Sequence, residues 1–206
     1  MPNARGNAVR LSPDARREQI LKVAALLFAR KRSHAPSVDE IARKAGVTRA
    51  LVYHYFPGKD GMLEAVLRRE SDKVLAATAP NPALSTWQNL HRSLDVYLQH
   101  FSASSGALRD LHERPPGSPP LLDELAKGHH AVQVERILTL VGLPDTAANR
   151  LVIRAWLGFV VEAARDLMAT PHLERDEVIR LCVRVLSTAT GKRLNMPRPG
   201  RSGSTG

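Results

Sequence analysis

Apolar residues recur along this chain at three- and four-residue spacings almost throughout, and no stretch alternates as a half-buried strand would. Ile20, Val23, Ala24, Leu27 and Phe28 form one stripe of an amphipathic helix. That helix opens at Ser12-Pro13, with Ser at the cap and Pro at the first helical position. Residues 1–11 have no pattern and read as a flexible arm, and Lys31 to Pro36 interrupts the helical period. Ser37-Val38-Asp39-Glu40 is a capping box, in which Ser37 and Glu40 satisfy each other's orphan backbone donors. Ile41, Ala42 and Ala45 give the short second helix its inward face, and Gly46 ends it in the left-handed conformation a tight turn requires. Val47 plugs the turn, and Thr48 caps a third helix that runs to about Phe56 before Pro57-Gly58 stops it.

A longer fourth helix is expected from Lys59 to about Thr78, with Met62, Leu63, Val66, Leu67 and Val74 on one side. After Pro80-Asn81-Pro82 a fifth helix carries Trp87, Leu90, Leu94, Leu98 and Phe101 in a stripe. A short helix is expected near Gly106–His112, followed by a Pro-rich loop from Arg114 to Pro120. Three long helices complete the chain, Leu121 to Val141, Thr146 to Thr170 and Glu174 to Thr190, closed in turn by Gly142, Pro171 and Gly191. The expected fold is all-α, with about nine helices. A small domain over 12–58 precedes a larger helical domain over 59–191, and 1–11 and 192–206 read as flexible tails.

Composition narrows the class. The chain has 206 residues, 43% of them hydrophobic and 24% charged, which excludes a disordered or collagen-like protein. The single Cys182 cannot make an intrachain disulfide or a Cys-rich metal site. No apolar run approaches the length needed to span a bilayer, and no signal peptide is visible. A cytoplasmic protein with no membrane partner is expected. Charge changes the picture more. Residues 1–60 hold 12 Lys and Arg against 5 Asp and Glu, whereas 61–190 hold 14 against 15. A basic first quarter before a neutral body suggests that one end meets a polyanion and the other does something else.

The chemistry concentrates between Ser37 and Phe56. Small Ala42 and Ala45 let two helices cross closely and Gly46 permits the sharp turn, which is a helix-turn-helix. The third helix, roughly 12 Å long, is a size the major groove admits. Its outer side offers Thr48, Arg49, Ala50, Tyr53 and His54. An Arg near the start of such a helix pairs bidentately with guanine, and hydroxyls, ammonium groups and helix N-termini suit phosphates. Arg5, Arg10, Arg16 and Arg17 read as solvated cations, with an arm reaching the duplex as the alternative.

Ile41-Ala42-Arg43-Lys44-Ala45-Gly46-Val47-Thr48, followed by Val52-Tyr53-His54-Tyr55-Phe56-Pro57-Gly58-Lys59-Asp60-Gly61-Met62-Leu63, resembles the tetracycline-repressor (TetR) family of bacterial regulators. The strict pattern spans about residues 20–67; the rest fits the family's length and plan. The resemblance implies a homodimer whose N-terminal domains enter the major groove, and a C-terminal domain holding a small-molecule pocket and the dimer interface. By motif position it places Ser37, Thr48, Arg49, Ala50, Tyr53, His54, Tyr55 and Lys59 against DNA. It also implies that a ligand moves the fourth helix, spreads the two heads and releases the operator. Three departures stand out. Lys31 to Pro36 lacks the family's usual Gly, the order Tyr53-His54-Tyr55 exchanges two aromatic positions, and Gly61 replaces a helix former at up to about 1 kcal/mol.

In the body, the helix Thr146–Thr170 is apolar on nearly two faces, so it must be covered almost all round. Ile153, Leu157, Val161, Ala164 and Met168 on that helix, with Val178, Cys182 and Val185 on the last, are the expected dimer interface. The alternative is that both faces are core. Trp87, His91, Tyr97, His100 and Phe101, with His112, Trp156, Phe159 and Glu162, mix aromatic and polar groups as a ligand pocket does, though such a stripe also suits a core. Adjacent His129 and His130 point apart on one helix, so no metal is expected, nor any cofactor. No nucleophile elbow or P-loop spacing occurs, so the chain is not expected to be an enzyme. The expected function is a sequence-specific, ligand-responsive transcriptional repressor binding a palindromic operator on double-stranded DNA as a dimer. Its rivals are an effector-independent architectural DNA-binding dimer and a helical enzyme or interaction module with an incidental basic head.

Overall fold

Eight helices, and among the described residues no strand, make up the regular structure of the computed structural model, which describes residues 11–30, 36–103 and 120–194. They are α1 (Pro13–Arg30), α2 (Val38–Ala45), α3 (Arg49–Tyr55), α4 (Gly58–Ala77), α5 (Thr86–Ala103), α6 (Pro120–Val141), α7 (Ala147–Ala169) and α8 (Arg175–Thr190). The all-α expectation holds. The short helix expected at Gly106–His112 falls outside the described residues, as do residues 1–10, 31–35 and 195–206. No helix among the described residues is long and apolar enough to cross a membrane.

Local chemistry sets the ends. The Ser12 hydroxyl accepts from the Ala15 N–H at 3.2 Å, Ser37 from Glu40 at 3.1 Å, Thr48 from Leu51 at 3.2 Å and Thr146 from Asn149 at 3.2 Å. Each satisfies one donor that the first helical turn leaves orphaned.

The chain divides into two units between Glu70 and Ser71, inside α4, rather than at the 58/59 boundary the sequence suggests. In the first unit Ile20, Ala24 and Phe28 of α1, Ile41 and Ala45 of α2, and Val52 and Phe56 of the third-helix segment are buried. Met62, Val66 and Leu67 of α4 are buried equally, and Arg69 forks onto the Glu18 carboxylate of α1 at 2.9 and 3.1 Å. The opening turns of α4 are therefore core and not connector, which is why the boundary moves.

In the second unit α7 packs on α8 and α6, and α5 packs on α8 and α7. Their core runs from Leu90, Leu94, Leu98 and Phe101 through Ile153, Trp156 and Val160 to Val178, Cys182 and Leu186. Buried Trp156 donates its indole N–H to the Cys182 carbonyl at 2.8 Å, which joins α7 to α8. Buried Asn89 holds the α4–α5 link: its side-chain oxygen accepts from the Asn81 N–H at 2.7 Å, and its amide donates to the carbonyls of Asn81, Leu84 and Ser85. The body extends to Leu194, which is buried in this core, beyond the expected end at 191.

Candidate nucleic-acid interface and ligand cavity

The helix-turn-helix is built from the turn outward. Gly46 sits at φ +65°, a left-handed conformation in which a Cβ is strained, and its N–H points back to the carbonyls of Ala42 and Arg43. The Val47 N–H then bonds the Ala42 carbonyl at 3.0 Å, and half-buried Val47 plugs the corner. Gln19 of α1 donates to the Ala45 carbonyl at 3.0 Å and accepts from Arg16 at 2.7 Å, fixing the end of α2. Arg17 stacks on the Phe56 ring at 5.0 Å, so both described arginines at the start of α1 have structural posts.

These contacts leave one face of α3 in solvent. Thr48, Arg49, Ala50, Tyr53 and His54 are exposed, as is Ser37 on α2, whereas Tyr55 is half-buried and edges onto His54 at 5.1 Å. The side chain of Lys59 lies outside the described set. Ser37 and Thr48 use their oxygens as cap acceptors, which leaves each hydroxyl proton able to donate elsewhere. Arg49 reaches the Tyr53 hydroxyl at 3.3 Å and Asp39 at 3.4 Å, and lies 5.5 Å from the Tyr53 ring centre. The Tyr53 hydroxyl first, and Asp39 next, raise the pKa of Arg49 above its ordinary value. This pair is exposed on both sides, so exchanging it for another partner costs little. The surface can therefore present a fixed cation, three hydroxyls and an imidazole to a polyanion.

The body holds a cavity of about 80 Å³, partly open to solvent, between the residues that close α4 and helices α5, α6 and α7. Its walls are mostly apolar, with Leu90, Leu94, Ile137, Trp156 and Val160 among them. Thr78, Ser93, His129, His130, Gln133 and Arg136 add polar groups, and among the described residues no Asp or Glu lines it. Three of these polar residues, from one side of α6, also bond α4 and its final turn. His129 Nδ1 lies 3.0 Å from the Ser71 hydroxyl, Gln133 donates to the Thr78 hydroxyl at 3.0 Å, and Arg136 donates to the Leu75 carbonyl at 2.6 Å. Burial pushes the His129 pKa down to about 4, with the charges of His130, Arg136 and His100 acting in the same direction. His129 is thus a neutral imidazole near pH 7. Among the described residues no group of three His, Cys, Asp or Glu side chains is placed to hold a metal ion.

Residues 20–66 match the family model described as bacterial regulatory proteins, tetR family. Residues 20–66 are thus a TetR-type N-terminal domain. The chain is 32% identical over 113 residues to the transcriptional activator FasR of Mycolicibacterium smegmatis, covering 54% of this chain and 51% of FasR. It is 33% identical over 113 residues to the transcriptional regulator EthR of Mycobacterium tuberculosis, covering 53% and 52%. The chain spans about half the length of these curated relatives. The crystal structure of a tetR-family regulator from Streptomyces coelicolor superposes with a TM-score of 0.77 at 26% identity, covering 87% of this chain and 82% of that one.

Of the nine pocket residues expected from the sequence, Tyr97 and Trp156 line the cavity. The others have different posts. Trp87 meets the His91 ring at 5.4 Å and His91 pairs with Asp176 of α8 at 2.8 Å. Phe101 is fully buried core, and Phe159 packs against that core. Half-buried His100 does not line the cavity, exposed Glu162 pairs with Arg165, and His112 lies outside the described residues. Sequence reading missed His129, His130, Gln133 and Arg136; both adjacent histidines border the cavity, because residues 100° apart still reach one wide chamber. The expected interface needs correcting as well. Ile153, Val161, Ala164, Val178 and Cys182 are buried within the single chain and leave no surface for a partner. Leu157 lines the cavity and Val185 packs against the core, whereas Met168 is exposed, as are Leu151 and Leu181 on α7 and α8.

Proposed function

We propose that this protein is a cytoplasmic, sequence-specific DNA-binding regulator of transcription of the TetR family. In this reading it binds a palindromic operator as a homodimer and acts as a repressor released by a small molecule held in the body's cavity. The observation that carries the reading is the solvent-exposed face of α3, where Thr48, Arg49, Tyr53 and His54 are left over after the fold has buried Ile41, Ala42, Ala45, Val52 and Phe56. Arg49 is the residue for base contact, and the hydroxyls of Ser37, Thr48 and Tyr53 suit phosphates, with His54, Tyr55 and Lys59 beside them. A second copy would dock on the outer faces of α7 and α8 through Leu151, Met168 and Leu181, and two-fold symmetry then dictates the palindrome. The cavity supports an effector: a purely architectural dimer has no use for an open chamber with polar groups inside an otherwise packed bundle. A ligand that favours one of two body conformations weakens operator binding by its difference in affinity, typically about 1–3 kcal/mol.

The test is selection of bound sequences from a random duplex pool at about 0.15 M salt, where non-specific phosphate attraction is screened. A recovered palindrome supports the dimeric regulator, and recovery of no motif overturns it. Lys59→Ala should weaken all sequences alike, because a phosphate contact carries no base information.

A further inference from the structure

We infer that the cavity takes a molecule with an apolar body and a single acidic head group of the carboxylate kind, and that Arg136 with Gln133 receives the head. The inference rests on reading the cavity as the effector site. Three observations lead to it.

The first is the imbalance of the lining. Half-buried Arg136 brings a permanent charge to a chamber where about half of the described lining is Leu, Ile, Val and Trp, and no carboxylate is among the described lining residues. A charge held against apolar walls is costly until it is paired. The Leu75 carbonyl accepts one of its five N–H groups, so donors remain for a planar anion. A cationic head would meet Arg136 with no acid to offset it. A neutral head could use Gln133 or Ser93 but would leave the guanidinium as it is.

The second is the state of the histidine beside it. His129 is bonded to Ser71 and stays neutral near pH 7, so it adds a polar edge without asking for a counter-ion of its own. The fixed charge on the described lining is that of Arg136, with His130 and Tyr97 the other titratable groups there.

The third is what else Arg136 and Gln133 do. They hold the Leu75 carbonyl and the Thr78 hydroxyl, so a head group that draws off their donors loosens the last turns of α4. Ligand selectivity and the signal would lie in the same two side chains.

Three probes with one ten-carbon body separate the possibilities: decanoate, decan-1-ol and decylamine, at about pH 7.5 so that acid and amine are both charged. The full-length protein carrying Trp87→Phe keeps Trp156, in the cavity wall, as its sole tryptophan, and its fluorescence reports occupancy. Decanoate is expected to bind about tenfold or more tighter than decanol, with decylamine weakest. Arg136→Gln should bring decanoate to the decanol level and leave decanol unchanged. Equal binding of all three, or tightest binding of the amine, overturns the acidic head group while leaving the cavity a ligand site. If none of the three perturbs Trp156, the effector reading of the cavity fails and takes this inference with it. Should Arg136→Gln not fold, the three-probe comparison with Arg136 in place decides alone.

Discussion

The two units of this chain use polar side chains in opposite ways. In the first, apolar residues close over one another and the polar residues of α3 are left outside, where Arg49 leans on Tyr53 and Asp39 across an exposed surface. In the second, His129, Gln133 and Arg136 are turned toward the interior, where they bond α4 and line a chamber. The contrast teaches where each unit is sensitive. Substitution on the exposed face of α3 is expected to have little effect on folding, whereas substitution on the inner face of α6 touches the cavity lining, α4 and stability together.

The largest expected effect tests whether the body is the more demanding core. Phe101→Ala, at a side chain with no exposure, should cost about 3–5 kcal/mol in urea denaturation, while Arg49→Ala should stay within about 0.5 kcal/mol. Comparable losses would erase the contrast. Acid comes next. Unfolded, His129 takes its proton near 6.5; folded, only near 4, so the unfolded chain binds more protons between these values. Its contribution to stability is complete above pH 6.5 and is lost as pH falls toward 4, on the order of 3 kcal/mol in all. Relative to the parent, His129→Gln should show a flatter fall in urea midpoint from pH 7 to pH 5; parallel profiles would mean that His129 is not held neutral.

On the other unit, Arg49→Ala should cost about 1–3 kcal/mol of discrimination between operator and mismatched duplex, read from competition binding at fixed salt. An unchanged preference would remove α3 as the reading helix. Gly46→Ala should destabilise the first unit by about 1 kcal/mol through its left-handed conformation alone, since no atom lies within 4 Å of an added Cβ. Gly61→Ala sharpens the same point at the smallest scale. The helix gains up to about 1 kcal/mol of propensity, but the new Cβ meets the Pro57 ring at 3.2 and 3.3 Å, so a thermal shift near zero is expected. A full gain would show that Pro57 yields freely.

Gly61 also shows what a sequence conceals. Its departure from a helix-forming pattern is visible in the chain, but the Pro57 ring that explains it appears only once α4 is folded against its own start. Helix ends were legible because their causes are local: Ser37, Thr48 and Thr146 cap within three residues, and Gly46 turns within four. The exposed face of α3 was legible for the same reason. The cavity was not, since its lining comes from three helices and the link that follows α4, and polar residues on α6 read, in sequence, as an ordinary solvated face. The two apolar faces of α7 were visible, but whether its own domain or a partner covers each is a tertiary fact; Ile153, Val161 and Ala164 turn out to be covered already.

The Asn89 clamp has a mechanical consequence. The link from Thr78 to Ser85 carries Pro80 and Pro82, which narrow its freedom even in the unfolded chain, and one amide then fastens it at Asn81, Leu84 and Ser85. Arg92 adds two bonds to the carbonyls of Ala77 and Ala79. The elbow between α4 and α5 therefore has no slack to take up strain. A displacement at the end of α4 drags α5 with it as a rigid lever, and load passes through the joint instead of being absorbed there.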